Sequence, residues 1–349
     1  MPGDSFNILA MSGGGARIIY MARILDLLAK HTGASITDFD IVAMNSASTA
    51  LGMGLSVPDP DDPARPRYSP EDAMQIAREI TPQILTPSFG RVARGKTPCS
   101  TTQMETILRD NLFGNTRLDQ AVTRHLFSIH KNDKPMLMTN FHSSGLVNMT
   151  EASFAYAGDL PMAKASSAAM ALKPMFGAVV DTDGGKLSDG GKDIPFPAME
   201  ARQSAKHLML NGEAAHPVTG HVPNQTALFG LTNGYEHKQG FYKVHFSGSG
   251  PLKREIDMIE RENGIMTDLE AIVVHDELNN IQIPADHHLF ERCRSLSRRI
   301  TESLFDTSPK NMEAMEDAAE IVFEHHLAEF ERVGEILRQS RQQRQGFSP

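Results

Sequence analysis

Three short stretches carry residue types that can do chemistry together. The first runs Phe39-Asp40-Ile41-Val42-Ala43-Met44-Asn45-Ser46-Ala47-Ser48-Thr49-Ala50. It begins as an apolar, β-rich run, reaches a serine among small residues, and passes into Leu51, Met53 and Leu55, which can start a buried helix. A serine held on a sharp strand-to-helix turn pushes its Oγ out of the sheet, towards a base and a set of backbone N–H donors. The usual spacing is G-x-S-x-G, because side chains two positions either side of the serine crowd the turn. Here those positions are Met44 and Ser48. Ser48 also has small flanks and is a second candidate nucleophile.

The second stretch is Ser12-Gly13-Gly14-Gly15-Ala16-Arg17, between the apolar run Phe6-Asn7-Ile8-Leu9-Ala10-Met11 and a helically spaced set from Ile18 to Leu28. Three consecutive glycines beside a helix N-terminus let backbone N–H groups turn towards one point and stabilise an anion or a developing oxyanion. A dinucleotide loop would need a glycine where Ile18 stands, and a Walker A loop would need G-K-[ST], which is absent. A plain strand-to-helix turn is the competing reading. The third stretch holds two triplets, Asp183-Gly184-Gly185 and Asp189-Gly190-Gly191. Between Ala178-Val179-Val180 and Lys186-Leu187-Ser188, the first reads as the turn of a hairpin. The second puts an acid at a strand end where another backbone can approach closely, although spacing alone favours a second turn or a helix cap for Asp189.

The elements implied by these stretches bring two of them together. Strand, glycine loop, helix and a second strand over 38–43 make a βαβ unit, and the right-handed crossover places both strands parallel in one sheet. Both then end at the same edge, where open α/β sheets put their sites, so the glycine loop and Ser46 meet.

Further along, Ser69-Pro70-Glu71-Asp72 reads as a helix start, with a helix to about Leu85. Residues 86–100 form a loop with Arg91, Arg94 and Lys96, solvated or facing an anionic head group. A helix is expected over 101–113, ended by Gly114. Strands are expected over 126–129 and 135–139, a small-residue helix over 163–171, and another strand over 206–210. Residues 211–250 are rich in Gly, His, Asn and Pro and read as irregular; His216, His221, His237 and His245 lack the close spacing of a zinc site. Helices are expected over 252–259 and 285–304. After Thr307-Ser308-Pro309, the residues Met312, Met315, Ala319, Val322, Phe323, His326, Phe330, Val333 and Leu337 mark one face of a single long helix, packed on the domain or on a second copy. A polar tail follows from Gln339.

The 349 residues allow one large α/β domain or two smaller ones. A net charge of −9 argues against general nucleic-acid binding. Two distant cysteines, Cys99 and Cys293, suit a reducing, cytoplasmic setting. Neither a signal peptide nor a transmembrane run is read from the chain.

Taken in order, several of these pieces resemble the patatin-like phospholipases. That family shows a D-G-G-G-x-R-G loop after a strand, a G-x-S-x-G serine six residues after an aspartate in an F-D-x-x strand, an A-x-x-x-S-A-A-P-x-x-F helix region, and a closing D-G-G or D-G-A. The corresponding residues here are Ser12-Gly13-Gly14-Gly15-Ala16-Arg17, Phe39-Asp40 with Ser46, Ala163 with Ser167-Ala168-Ala169 and Phe176, and Asp189-Gly190-Gly191. Phe113-Gly114-Asn115-Thr116-Arg117-Leu118 also resembles a family segment, and the likeness spans about residues 5–250. The resemblance implies a three-layer α/β/α fold, with an acyl hydrolase domain over 1–300 and a C-terminal helical segment over 301–349. It implies Ser46 as nucleophile, Asp189 as its base, and Gly13, Gly14, Gly15 and Arg17 as the oxyanion loop. It further implies hydrolysis of a lipid ester through an acyl-serine, with no metal or other cofactor and with peripheral membrane contact. The departures are Ser12 for Asp, Ile18 for Gly, and Met44 and Ser48 for both elbow glycines. They leave open a silent module of the same fold that binds a lipid or a protein partner. Met44 is expected to lie against the strand before the glycine loop and to shape the acyl site.

Overall fold

A computed structural model describes residues 5–142, 153–214, 225–231, 272–276, 280–282 and 303–344, with the single residues 223 and 300. Strand β1 (Ser5–Met11) and β2 (Ile41–Asn45) flank helix α1 (Ile18–Thr32). Both strands are buried along their whole length, as continuous apolar runs in the middle of a covered sheet must be. They pair in parallel with Met11 opposite Met44, and β3 (Arg124–Lys131) lies parallel on the far side of β2. On the other side of β1 runs β8 (Gln225–Leu231), also parallel, followed by β9 (Ile272–Asp276) and β10 (Asn280–Gln282). Beyond β3 come β4 (Lys134–Thr139) and β5 (Ser153–Tyr156).

Alternation along the strands divides the core into two layers. Phe6, Ile8, Ala10, Ile41, Ala43 and Leu126 face one side, against Ala201, Ala205 and Leu208 of α7 (Ala198–Leu210). Leu9, Met11, Val42, Met44, Phe127 and Ile129 face the other. There they meet α1, α2 (Ala47–Leu55), α3 (Pro70–Leu85), α5 (Thr101–Leu108) and α6 (Met162–Ala169). The molecule is thus a three-layer α/β/α fold around a mixed, mainly parallel sheet. Helix α3 starts as its sequence demands, with Ser69 and Asp72 in a reciprocal capping box and Pro70 in the first turn. Between α3 and α5, one turn of helix, α4 (Phe89–Val92), sits in the basic loop.

Four expectations need correcting. Residues 206–210 are the end of α7, not a strand: the apolar run His207-Leu208-Met209-Leu210 closes a helix whose buried face is mostly alanine. Within 211–250, β8 is a regular central strand, its short apolar run concealed among polar neighbours. The helix over 101–113 exists, but its last turn, Arg109–Phe113, is wound as a π-helix before Gly114. The single C-terminal helix is two, α8 (Pro309–His325) and α9 (Leu327–Arg344), broken at His326, and α9 takes in 339–344, expected as part of the polar tail. All nine residues of its expected apolar face are buried nonetheless. They pack on the domain itself, α8 against α1 and α9 against α1 and β1. Arg341 pairs with Asp38 and Arg344 with Asp40, which fastens α9 to the start of β2. The helix expected over 252–259, most of that over 285–304, the four histidines and Cys293 lie outside the described residues. Among the described residues no helix is long and apolar enough to cross a membrane.

Candidate active site

Ser46 stands between the last residue of β2 and the first of α2, with φ 52° and ψ −129°. A non-glycine residue in that region is strained by roughly 1–3 kcal/mol, and such strain collects where a side chain must be thrust out of the fold. The turn is pinned by Ser48. Its Oγ accepts the Asn45 N–H at 3.0 Å and donates back to the Asn45 carbonyl at 2.8 Å, with the Met11 carbonyl at 3.2 Å. Ser48 is fully buried and its hydroxyl braces the turn.

Met44 finds room because Gly52, on the helix that covers it, has no side chain. A Cβ on Gly52 of α2 would lie 2.3 Å from Met44 Sδ and 2.9 Å from Met11 Cε. The glycine missing before the serine has in effect been moved to the helix that covers it. Met44 does lie beside β1, opposite Met11. It is a core residue, however, and is not among those that line the cavity described below.

The sheet delivers Asp189 to Ser46. Strand β3 pairs along one edge with β2 up to Asn45 opposite Ser128. From the next residue on, the same edge pairs with β7 (Lys186–Asp189), antiparallel, with Asp189 opposite Ile129. The ends of β2 and β7 therefore meet tip to tip along β3. The Asp189 carboxylate accepts the Gly191 N–H at 2.7 Å and has the Ser46 hydroxyl close by. It is only 6% exposed. Burial pushes its pKa up from 3.8 to about 6, against the smaller opposing pull of the Ser46 hydroxyl, the Gly191 N–H and His130. Both glycines of this triplet are required. A Cβ on Gly190 would lie 2.6 Å from the Ile129 backbone nitrogen, and one on Gly191 would lie 2.8 Å from Asn45 Nδ2.

The glycine loop closes on the same point: a Cβ on Gly13 would be 3.1 Å from Ser46 Cβ and 2.7 Å from Asn45 Nδ2. Its amides are not equivalent. Arg17 N–H donates to the Gly14 carbonyl at 2.9 Å and Ala16 N–H to the Leu304 carbonyl at 2.7 Å, while Gly13 N–H leans on Pro195 O at 3.4 Å. Among the described residues the amides of Gly14 and Gly15 have no backbone acceptor. The Arg17 side chain is buried.

Residues that no motif singled out hold the centre together. Asn45 Oδ1 accepts from Ser128 Oγ at 2.8 Å, and Ser128 also reaches the Ile194 carbonyl. His130 Nδ1 lies 2.8 Å from the backbone carbonyl of Asp189, and its Nε2 meets the Asp193 carboxylate. The ring thus links the backbone of Asp189 to the Asp193 side chain. A serine and a histidine spaced two apart on a strand were the available signal. Their meaning depends on β7 arriving beside them.

A narrow apolar cavity opens next to Ser46, from Gly15, Ile18 and Ala47 through Ala50 and Leu51 to Ile80, Ile84 and Met170. Its one side-chain hydroxyl, Thr81, is spent on the Ala77 carbonyl at 2.5 Å. No protein-family model matches the chain, and no curated protein matches it.

Proposed function

We propose that the protein is an acyl hydrolase of the patatin-like kind that cleaves the carboxylic ester of a lipid through an acyl-Ser46 intermediate. One observation carries this: a serine thrust out on a strained turn stands beside a buried carboxylate whose pKa is raised towards neutrality. A carboxylate in water is a weak base towards a hydroxyl; desolvation strengthens it. Asp189 takes the proton as Ser46 Oγ attacks the carbonyl carbon, and the amides of Gly14 and Gly15 receive the charge that develops on the carbonyl oxygen. Asp189 then returns the proton to the leaving alcohol. Water attacks the acyl-serine, with Asp189 again as base and then acid. The apolar cavity, without a free polar side chain, suits the hydrocarbon chain of the acyl group.

A fluorophosphonate probe tests the reading. The expected result is labelling of the wild type that is lost in Ser46→Ala, kept in a folded Ser48→Ala variant, and falling away as the pH drops below about 6, where Asp189 is protonated. A folded wild type that takes no label would overturn it in favour of a silent module of the same fold.

A further inference from the structure

The loop over 86–100 contains no Asp or Glu and carries Arg91, Arg94 and Lys96, in a chain of net charge −9. It is firmly built. Ser88 N–H bonds the Pro98 carbonyl at 2.9 Å and closes its base; Lys96 N–H reaches the Arg91 carbonyl at 3.0 Å. The Arg91 Nε donates to the Thr97 carbonyl at 3.0 Å. From this frame α4 holds Phe89 85% exposed and Val92 40% exposed, with Arg94 and Lys96 also exposed beside them. A pre-ordered turn that keeps a phenylalanine in water has found no partner for it among the described residues. An aromatic ring ringed by cations and free of acids suits an anionic lipid interface, where the ring enters the head-group layer and the cations pair with phosphate.

The place of the loop fits as well. It leaves from Leu85, which lines the apolar cavity. It returns at Cys99, whose N–H bonds the Met175 carbonyl at 2.9 Å. The same turn holds Asp189, whose N–H bonds the Ala171 carbonyl at 3.2 Å. We propose that this loop docks the protein on anionic bilayers through Phe89, Val92, Arg94 and Lys96, and so sets the cavity and dyad at the lipid surface. The inference extends the lipid reading above, and its test uses no turnover.

Full-length protein is sedimented with vesicles of phosphatidylcholine alone and of phosphatidylcholine mixed with phosphatidylglycerol. Wild type should bind the anionic vesicles, less so as salt is raised. Phe89→Ser should weaken binding about tenfold. The pair Arg94→Glu and Lys96→Glu should weaken it by more than about 25-fold, at roughly fivefold per cation lost. Melting temperature and hydrolysis of a soluble short-chain ester should not change in either variant, since all three residues are exposed and away from the dyad. Absence of wild-type binding, equal binding to both vesicle types, or variants that bind like wild type would each overturn the proposal. So would a wild-type dimer that Phe89→Ser converts to monomer, which would assign the loop to self-association. Vesicle binding without hydrolysis of the soluble ester would sink the hydrolase reading alone.

Discussion

The triplets Asp183-Gly184-Gly185 and Asp189-Gly190-Gly191 are the same three residues six positions apart, and the fold makes opposite things of them. The first turns the β6–β7 hairpin, with β6 at Val179–Val180. Gly184 takes φ +82° with open space where a side chain would be. Asp183 bonds Lys131 at 2.6 Å, and that partner holds its carboxyl below the usual range. In the second triplet the carboxyl is buried and its pKa is raised. The glycines there are needed for closeness to β3 and Asn45. Solvent decides the chemistry: an aspartate with a salt-bridge partner in water becomes a weaker base, and one enclosed beside a serine becomes a stronger one.

The widest separation between the two should appear in turnover. Asp189→Asn should reduce kcat by roughly 10²–10⁴-fold, because the amide cannot take the Ser46 proton. Asp183→Asn should leave the rate within about twofold, the scale of an exposed ion pair. Rates measured on protein that melts cooperatively make the comparison, and equal losses in both would break it.

The glycines should separate next, in stability. Gly190→Ala drives a methyl against the β3 backbone, which no rotamer relieves, and should cost about 3 kcal/mol or more. Gly184→Ala meets nothing and pays only for its left-handed backbone, about 1 kcal/mol. Chemical denaturation of both variants measures this. Equal costs would mean that β7 can move away from β3.

The pH dependence of stability should separate the two aspartates by sign. Because Asp189 holds its proton more tightly folded than unfolded, its contribution to stability falls as pH rises from about 4 to about 6 and stays unfavourable above that. Asp189→Asn should therefore stabilise the protein at neutral pH, by up to about 3 kcal/mol, and the gain should vanish below about pH 4. Asp183, whose pKa is lowered, contributes stability that is present at neutral pH and lost in acid, so Asp183→Asn should melt slightly earlier at pH 7 and no differently in strong acid. Melting curves across pH would show whether the two shifts differ in sign.

Much of this was legible in the residues. The βαβ unit, the hairpin, the capping box and the buried face of the C-terminal helices follow local rules of spacing and turn chemistry, which hold whatever the rest of the chain does. What could not be read depends on partners distant in sequence. Met44 is tolerated only because Gly52 lies over it, and Ser48 looked like a rival nucleophile until its hydroxyl was seen spent on the turn. The break at His326 is hidden because the apolar period continues across it. Asp189 could not be told from Asp183 by its neighbours in sequence, since what distinguishes it is β3.

That strand serves as a ruler. Asn45, the residue before Ser46, and Asp189 sit at adjacent marks on one edge, spaced by ladder hydrogen bonds. Neither half of the pair has a hinge on which to swing, so their separation is a fixed dimension of the sheet. Control over what reacts is left to the parts that are not on the ruler: the glycine loop under the Leu304 carbonyl, and the walls that α1, α2 and α3 raise beside Ser46.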